Sequence, residues 1–196
     1  MRALILAGGS GSRLSLGEKP LVMVNGVPMI GRIINAFEKA GCEVVVVISP
    51  RTPFTQNWCR AHDILHYAAA GTGYVEDIVE TVEALGETGP VFTCVSDIPC
   101  IRPETVTTIR ERYLESGKDA CSVWVPLSFY DSNGCRASYI EEVDGTEACP
   151  AGINILNGSN ISEPQDEMRL LVRDRRLAFN INTREELSRV RQFLKG

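Results

Sequence analysis

The sequence predicts an α/β fold: a three-layer sandwich around a mainly parallel, Rossmann-like twisted sheet that contains one antiparallel strand. Near-continuous apolar runs such as residues 44–48 are typical of strands that are buried on both faces of a parallel sheet. Amphipathic stretches such as residues 28–40, with apolar residues at helical spacing, separate these runs. Strands and helices that alternate along the chain favour a parallel sheet covered by helices. The length of 196 residues fits one domain, predicted to span 1–196.

The first half of the chain supplies most of the alternation. An opening strand is predicted at about residues 2–7, and the helix at 28–40 ends at Gly41, a typical helix-terminating residue. The strand at 44–48 closes at Ser49-Pro50. The remaining elements of this half are a helix at 55–62, a short strand at 64–67, a helix opened by the glycine turn 70–74, and a strand at 91–96.

The second half is less regular. Pro103 stands at the start of a helix, where its missing N–H is harmless, and residues 120–125 form a further strand. Short strand-like pieces, turns and Pro150 then predict an excursion from the sheet over 126–162, with a return at 153–156. The segment Thr183–Glu186 has the pattern of a capping box, which predicts the start of the last helix.

A glycine-rich loop directly follows the opening strand and is the most informative motif. Glycines allow backbone N–H groups to approach an anion closely, and an Arg and a Lys six residues apart can neutralise a triphosphate. The loop is neither a Walker A motif nor the dinucleotide fingerprint G-x-G-x-x-G, because neither pattern is complete. The alternative is a surface turn with incidental charges. The predicted nucleotide-binding residues are Leu6, Ala7, Gly8, Gly9, Ser10, Gly11, Ser12, Arg13 and Lys19.

Asp97 ends the strand at 91–96 and is the predicted metal ligand. Ligands of open α/β sheets bind at the carboxyl ends of the strands, so we expect Asp97 to lie close to the glycine loop. A carboxylate at that edge can hold Mg²⁺ together with substrate phosphates. The alternative is an Asp that caps the following turn. Gly71 and Gly73, before a helix, are predicted to form a third wall of the nucleotide site, although a plain loop explains them almost as well.

Two late motifs add four candidate nucleotide-binding residues. Gly152 and Asn154 lie in the string Pro-Ala-Gly-Ile-Asn, and Asn180 and Asn182 alternate in Phe-Asn-Ile-Asn-Thr. Alternating residues of a strand point to one sheet face, and an Asn side chain both donates and accepts hydrogen bonds, as recognition of ribose or base requires. Asn182 has an alternative role as the N-cap of the last helix.

Composition excludes several classes of protein. The net charge of −5 argues against nucleic acid as the main partner, since a phosphate backbone requires a basic surface. Seven cysteines without a C-x-x-C pair argue for reduced core residues and a cytoplasmic location. No apolar run approaches the ~20 residues of a membrane span. His62 and His66 lack a carboxylate cluster and are interpreted as structural.

The loop string L-A-G-G-S-G-S-R-x5-K-P resembles the signature of the nucleotidyltransferases that include molybdenum cofactor and sugar-phosphate enzymes. With the strings PAGIN, FNINT, SPxTP and GxGYxED, nearly the whole chain is similar to the archaeal-type adenosylcobinamide-phosphate guanylyltransferases. The wider nucleotidyltransferase superfamily with this loop often has Gly where the chain has Ser15. The resemblance implies transfer of GMP from GTP to adenosylcobinamide phosphate, with release of pyrophosphate, and a homodimer.

The resemblance also assigns roles within the site. It implies that Arg13 and Lys19 contact the phosphates of the NTP and that Asp97 binds Mg²⁺; we therefore predict these three residues to be catalytic. A phosphate monoester is largely dianionic at neutral pH, since its second pKa is about 6, and it can attack without a general base. Two alternatives stay open: an enzyme of the same fold that uses molybdopterin or a sugar phosphate, and a GTP-binding protein without catalytic activity.

Overall fold

The computed structural model describes residues 1–9, 11, 14, 16–135 and 139–195. The strands are β1 (Arg2–Leu6), β2 (Met23–Val24), β3 (Val27–Pro28), β4 (Glu43–Ile48), β5 (His66–Ala68), β6 (Pro90–Val95), β7 (Ala120–Pro126), β8 (Glu141–Val143), β9 (Thr146–Asn157) and β10 (Glu167–Leu171). The helices are α1 (Met29–Lys39), α2 (Pro53–Ala61), α3 (Tyr74–Leu85), α4 (Pro103–Ser116), α5 (Leu127–Asn133) and α6 (Arg184–Phe193). Short 3-10 helices lie at Lys19–Leu21, Gly158–Asn160 and Arg175–Ala178.

One large sheet organises these elements. Its strands lie in the order β10-β7-β9-β6-β1-β4-β5, and β8 pairs with β9 beyond this path. The pairs β1–β4, β1–β6, β4–β5 and β7–β10 are parallel, whereas β9 pairs antiparallel with β6, β7 and β8. Of the described strands of this sheet, β9 alone runs in the opposite direction. The prediction of a mainly parallel sheet with one antiparallel strand is therefore confirmed.

Apolar residues of each central strand point alternately into two cores. Ala3 and Ile5 of β1 belong to a large core shared with α1, α2, α4, α5 and α6. Leu4 belongs to a smaller core on the opposite face, which is completed by Ile78 and Val82 of α3. This alternation follows from the period of two along a strand and produces the predicted three layers. The loops that follow the carboxyl ends of the strands remain available to bind a ligand between the two helical layers.

Strand β9 corrects the prediction for the segment 126–162. We expected an excursion with a return at 153–156, but twelve consecutive residues form a strand between β6 and β7. Pro150 pairs with Trp124 next to a register irregularity between Ser122 and Trp124. Proline is tolerated in a sheet at such bulges, and for this reason Pro150 does not end the strand.

The segment before the last helix is also corrected in part. Asn180 and Asn182 follow the 3-10 helix Arg175–Ala178 and do not lie on a strand. The capping box is confirmed: Thr183 Oγ1 accepts a hydrogen bond from Glu186 N at 3.2 Å, and Glu186 Oε2 accepts from Thr183 N at 2.9 Å. Glu186 Oε2 also accepts from Asn182 N at 2.7 Å, so the cap fixes the backbone of Asn182.

We expect the substitution Thr183→Ala to lower the free energy of unfolding by about 1 kcal/mol, because it removes the side-chain acceptor at the N-cap of α6. Urea denaturation followed by circular dichroism measures the change. Thr108→Ala is the matched control, since Thr108 lies exposed within α4, where alanine is the better helix former. Equal losses of stability in the two variants would contradict the role of the cap.

Candidate nucleotide site

A cavity of about 480 Å³ lies at the carboxyl ends of β1, β4 and β6. This is the position where ligands of open α/β sheets bind, and the volume lies in the usual range for small-molecule sites. Apolar strand ends form part of the wall, and glycines and charged side chains form the rest. The lining residues are Leu6, Gly8, Gly9, Gly11, Leu14, Lys19, Val47, Arg51, Gly71, Gly73, Tyr74, Asp77, Val95, Ser96, Asp97 and Asn182.

Lys19 and Asp97 form an ion pair in this cavity. Lys19 Nζ lies 2.6 Å from Asp97 Oδ2 and 2.7 Å from Asn182 Oδ1. Asn182 Nδ2 in turn donates to Asn180 Oδ1 at 2.7 Å. The side chains of Lys19 and Asp97 are only 14% and 16% exposed, so water screens their interaction less than it would on the surface. The structure thus brings together four residues that the sequence assigned to one site from separate motifs.

The second carboxylate oxygen of Asp97 has a different environment. Asp97 Oδ1 is buried and has no hydrogen-bond partner among the described residues. An unsatisfied buried carboxylate oxygen is unfavourable unless a donor or a cation completes it. Within the described part of the chain, no group of three His, Cys, Asp or Glu side chains could hold a metal. The free oxygen of Asp97 is compatible in its chemistry with Mg²⁺, which commonly uses one or two carboxylates together with substrate phosphates.

The glycine loop starts at the end of β1 and is tied to β4. Ala7 N donates to Val47 O at 2.7 Å, and Ser49 Oγ donates to Gly8 O at 2.7 Å. Gly11 has φ +60°, and a Cβ there would lie 3.1 Å from Lys19 N, so that glycine is required by both conformation and space. The predicted contacts of Ser10, Ser12 and Arg13 lie outside the described residues.

The PAGIN residues lie next to the cavity without lining it. Asn154 is the cross-strand neighbour of Thr93, and its Nδ2 donates to Thr93 Oγ1 at 3.3 Å and lies 3.5 Å from the Tyr74 hydroxyl. Gly152 has φ +72° and packs against Val95. Both residues thus contact residues that line the cavity but do not line it themselves. Asn180 is in the same position, because it contacts the lining residue Asn182.

Sequence reasoning missed Glu18, which holds the loop in place. Its Oε1 accepts from Phe54 N at 2.7 Å, and its Oε2 accepts from Thr55 N at 2.6 Å and Thr55 Oγ1 at 2.5 Å. A carboxylate at a helix N-terminus satisfies free N–H groups and complements the helix dipole. Glu18, which directly precedes Lys19 in the chain, thus joins the loop to the start of α2. The strings EKP at 18–20 and SPxTP at 49–53, the second of which directly precedes Phe54, were the available signal.

The cysteines are buried and the two histidines hydrogen-bond the backbone. All seven cysteines are buried and unpaired. Burial raises the pKa of the Cys59 thiol to about 11 and that of Cys100 to about 12, so both thiols stay protonated at neutral pH. His62 and His66 each hydrogen-bond a nearby backbone carbonyl through Nδ1.

Two solved structures share this architecture over nearly the whole chain. The chain superimposes on molybdopterin-guanine dinucleotide biosynthesis protein A from Archaeoglobus fulgidus with a TM-score of 0.71 and 17% identity, covering 100% of this chain and 99% of that one. It superimposes on a CMP:2-keto-3-deoxy-manno-octonic acid synthetase complexed with CTP with a TM-score of 0.74 and 15% identity, covering 99% and 98%. These similarities establish a nucleotidyltransferase-type fold.

Residues 3–149 match the MobA-like NTP transferase domain, and the chain belongs to that family of nucleotidyltransferases. Over its full length it is 27% identical to an adenosylcobinamide-phosphate guanylyltransferase from Methanocaldococcus jannaschii, and the alignment of 206 residues covers 98% of that relative. The resemblance inferred from the motifs is thereby confirmed. Within the described residues, no helix is both long and apolar enough to cross a bilayer.

Proposed function

We propose that this protein transfers GMP from GTP to adenosylcobinamide phosphate, giving adenosylcobinamide-GDP and pyrophosphate. The observation that carries nucleotidyl transfer is the Lys19–Asp97 pair, with a 2.6 Å contact, in the cavity bordered by the glycine loop. The full-length similarity to the M. jannaschii guanylyltransferase supports the choice of donor and acceptor. The homodimer implied by the resemblance belongs to the same proposal.

The proposed reaction requires positioning and charge neutralisation more than acid–base chemistry. An oxygen of the acceptor phosphate forms a bond to the α-phosphorus of GTP, and the bond between that phosphorus and the oxygen bridging to the β-phosphate breaks. The bond's electrons leave with pyrophosphate. Because a phosphate monoester is already largely dianionic at neutral pH, with a second pKa of about 6, no protein group has to remove a proton. Holding the reactants in line is the main contribution of the protein.

Individual residues have distinct tasks in this scheme. The backbone of Ala7–Gly11 and the side chains of Arg13 and Lys19 would bind the triphosphate, and Lys19 would stabilise the departing pyrophosphate. Asn182 would keep the Lys19 ammonium in place through the 2.7 Å contact with its Oδ1. Asp97 would hold Mg²⁺ through its free oxygen, and the ion, when bound, would neutralise phosphate charge.

We expect purified protein with GTP and Mg²⁺ to release pyrophosphate when adenosylcobinamide phosphate is added, with adenosylcobinamide-GDP identified by mass spectrometry. Parallel reactions contain molybdopterin or a sugar 1-phosphate as the acceptor. Turnover with one of these acceptors instead would overturn the choice of acceptor in favour of another enzyme of this fold. GTP binding without pyrophosphate release from any acceptor would indicate a non-catalytic GTP-binding protein.

A further inference from the structure

We propose that Asp77 and Arg51 read the guanine base of the nucleotide, with the Asp77 carboxylate accepting from guanine N–H groups and the Arg51 guanidinium donating to its ring acceptors. This inference rests on the proposed function and names the side chains that would select GTP among the nucleotides. Both residues line the cavity that contains Lys19 and Asp97.

The two residues lie at the end of the cavity away from the ion pair. Asp97 follows β6, whereas Arg51 follows β4 and Asp77 comes shortly after β5. The strand order β6-β1-β4-β5 separates the ends of β6 and β5 by three strand spacings of ~4.8 Å each. A nucleotide whose triphosphate contacts Lys19 can therefore extend across β1 and place its base near Arg51 and Asp77.

A continuous series of contacts joins this end of the cavity to the glycine loop. Ser49 Oγ donates to Gly8 O at 2.7 Å and accepts from Arg51 N at 3.1 Å. Gly71 has φ +76°, and a Cβ there would lie 3.1 Å from Ser49 Cβ, so its turn packs directly on Ser49. Asp77 Oδ1 accepts from Gly71 N at 3.0 Å. The backbones that carry the proposed base-reading side chains are therefore fixed relative to the loop.

The functional groups at this end of the cavity are available to a ligand. Asp77 Oδ1 also accepts from Thr72 N at 3.2 Å, but Oδ2 has no hydrogen-bond partner among the described residues. Arg51 is exposed, and its guanidinium has neither an ion-pair nor a hydrogen-bond partner in that same part of the chain. An unpaired acceptor and an unpaired set of donors thus line the same end of the cavity.

This combination matches guanine and disfavours adenine. Guanine presents the N1–H and the N2 amino group as adjacent donors, and O6 and N7 as acceptors, which an arginine can contact in a bidentate manner. Adenine presents an acceptor at N1, which the carboxylate would repel, and an amino group at position 6, which cannot accept from Arg51. A bound base would cover both groups, and a base that leaves covered polar groups unpaired loses affinity.

The substitution Asp77→Asn tests the carboxylate, because the amide oxygen can still accept from Gly71 N and Thr72 N while the second oxygen is replaced by a donor. Titration calorimetry with GTP, ITP, XTP and ATP, each with Mg²⁺, measures base preference. We expect the wild-type protein to prefer GTP, and the variant to bind GTP roughly 10–100-fold more weakly and to gain affinity for XTP, which has a carbonyl oxygen in place of the N2 amino group. Glu76→Gln removes the same charge from the same turn of α3 and leaves the preference unchanged.

The substitution Arg51→Ala tests the donor, with the exposed Arg60→Ala on α2 as the matched control. We expect a roughly 10-fold or larger loss of GTP affinity that exceeds any loss for ATP. If the wild-type protein binds GTP selectively but both Asp77→Asn and Arg51→Ala retain that preference, the base-reading roles are wrong and the proposed function stands. If the wild-type protein does not prefer GTP, the proposed donor is wrong and the base-reading inference fails with it.

Discussion

Replacing Lys19 by alanine will lower kcat by about 10²–10³-fold under saturating GTP, because in the proposed reaction the departing pyrophosphate loses a charged contact. Lys19 Nζ is held 2.6 Å from Asp97 Oδ2 and 2.7 Å from Asn182 Oδ1, which fixes it within the cavity. Such pre-organised charges stabilise a transition state without reorganising during the reaction. Pyrophosphate release with adenosylcobinamide phosphate measures the loss, and thermal denaturation monitored by circular dichroism checks the fold.

Lys118→Ala is the control for Lys19→Ala, because Lys118 also pairs with an aspartate, Asp166, at 2.7 Å but on the exposed surface. Surface ion pairs of this kind contribute little, so we expect normal kcat and nearly normal stability. The double variant Lys19→Ala/Asp97→Asn is compared with Lys19→Ala by thermal denaturation. It shows whether a loss of stability in Lys19→Ala comes from the carboxylate left unpaired and not from the missing ammonium. Near-normal turnover of Lys19→Ala at saturating GTP would refute the role of this lysine.

The second large effect is expected for Asp97→Asn, which keeps the size of the side chain and removes its charge. We predict a loss of about 10²–10³-fold in kcat and a higher Mg²⁺ concentration for half-maximal activity, because a neutral amide is a poorer ligand for the ion. Initial rates of pyrophosphate release are measured across a Mg²⁺ titration at saturating GTP. The buried Oδ1 of Asp97, which lacks a described hydrogen-bond partner, is the atom that this experiment addresses.

Asp166→Asn provides the comparison for Asp97→Asn, since it removes an aspartate charge from an exposed ion pair with Lys118. The expected Mg²⁺ dependence of this control matches that of the unmodified protein. If Asp97→Asn retains both its turnover and the normal Mg²⁺ dependence, Asp97 neither binds the metal nor contributes to catalysis.

Local patterns in the sequence were sufficient to predict the parallel strands of the first half of the chain and the proximity of two candidate site residues. The run 44–48 became the interior strand β4, and Asp97, predicted at the end of a buried strand, lies beside Lys19. The strand was predicted from its continuous apolar run, and the position of Asp97 from the rule that parallel strands present their carboxyl ends at a common edge. Such a rule requires only the order of strands and helices along the chain.

Only residues 153–156 of β9 were predicted to lie in the sheet, because the pattern of the preceding residues is determined by their neighbours. Pro150 and Gly152 interrupt the sequence signature of a strand, yet β6 and β7 flank the segment and supply hydrogen bonds on both sides. The irregularity near Trp124 accommodates the proline. Tertiary pairing therefore outweighs local propensity in this segment.

Local sequence patterns were also insufficient to predict parts of the candidate site. The alternation of Asn180 and Asn182 suggested a strand, but the amides meet through a side-chain hydrogen bond in an irregular segment. Glu18, Arg51 and Asp77 lie in the strings EKP, SPxTP and GxGYxED, but they were not predicted to be site residues, because charged residues in loops and first helical turns are common and the strings alone do not show their contacts. Their relevance follows from which chain segments the fold places next to one another.

The carboxylate of Glu18 links two segments that lie far apart in the sequence. It accepts three hydrogen bonds from Phe54 and Thr55, which lie 36 and 37 positions further along the chain. These hydrogen bonds join the segment next to Lys19 to the first turn of α2. They also place a negative charge at the amino end of that helix. We therefore expect a substitution that shifts the first turn of α2 to shift Lys19 as well, and with it the ion pair with Asp97 in the cavity.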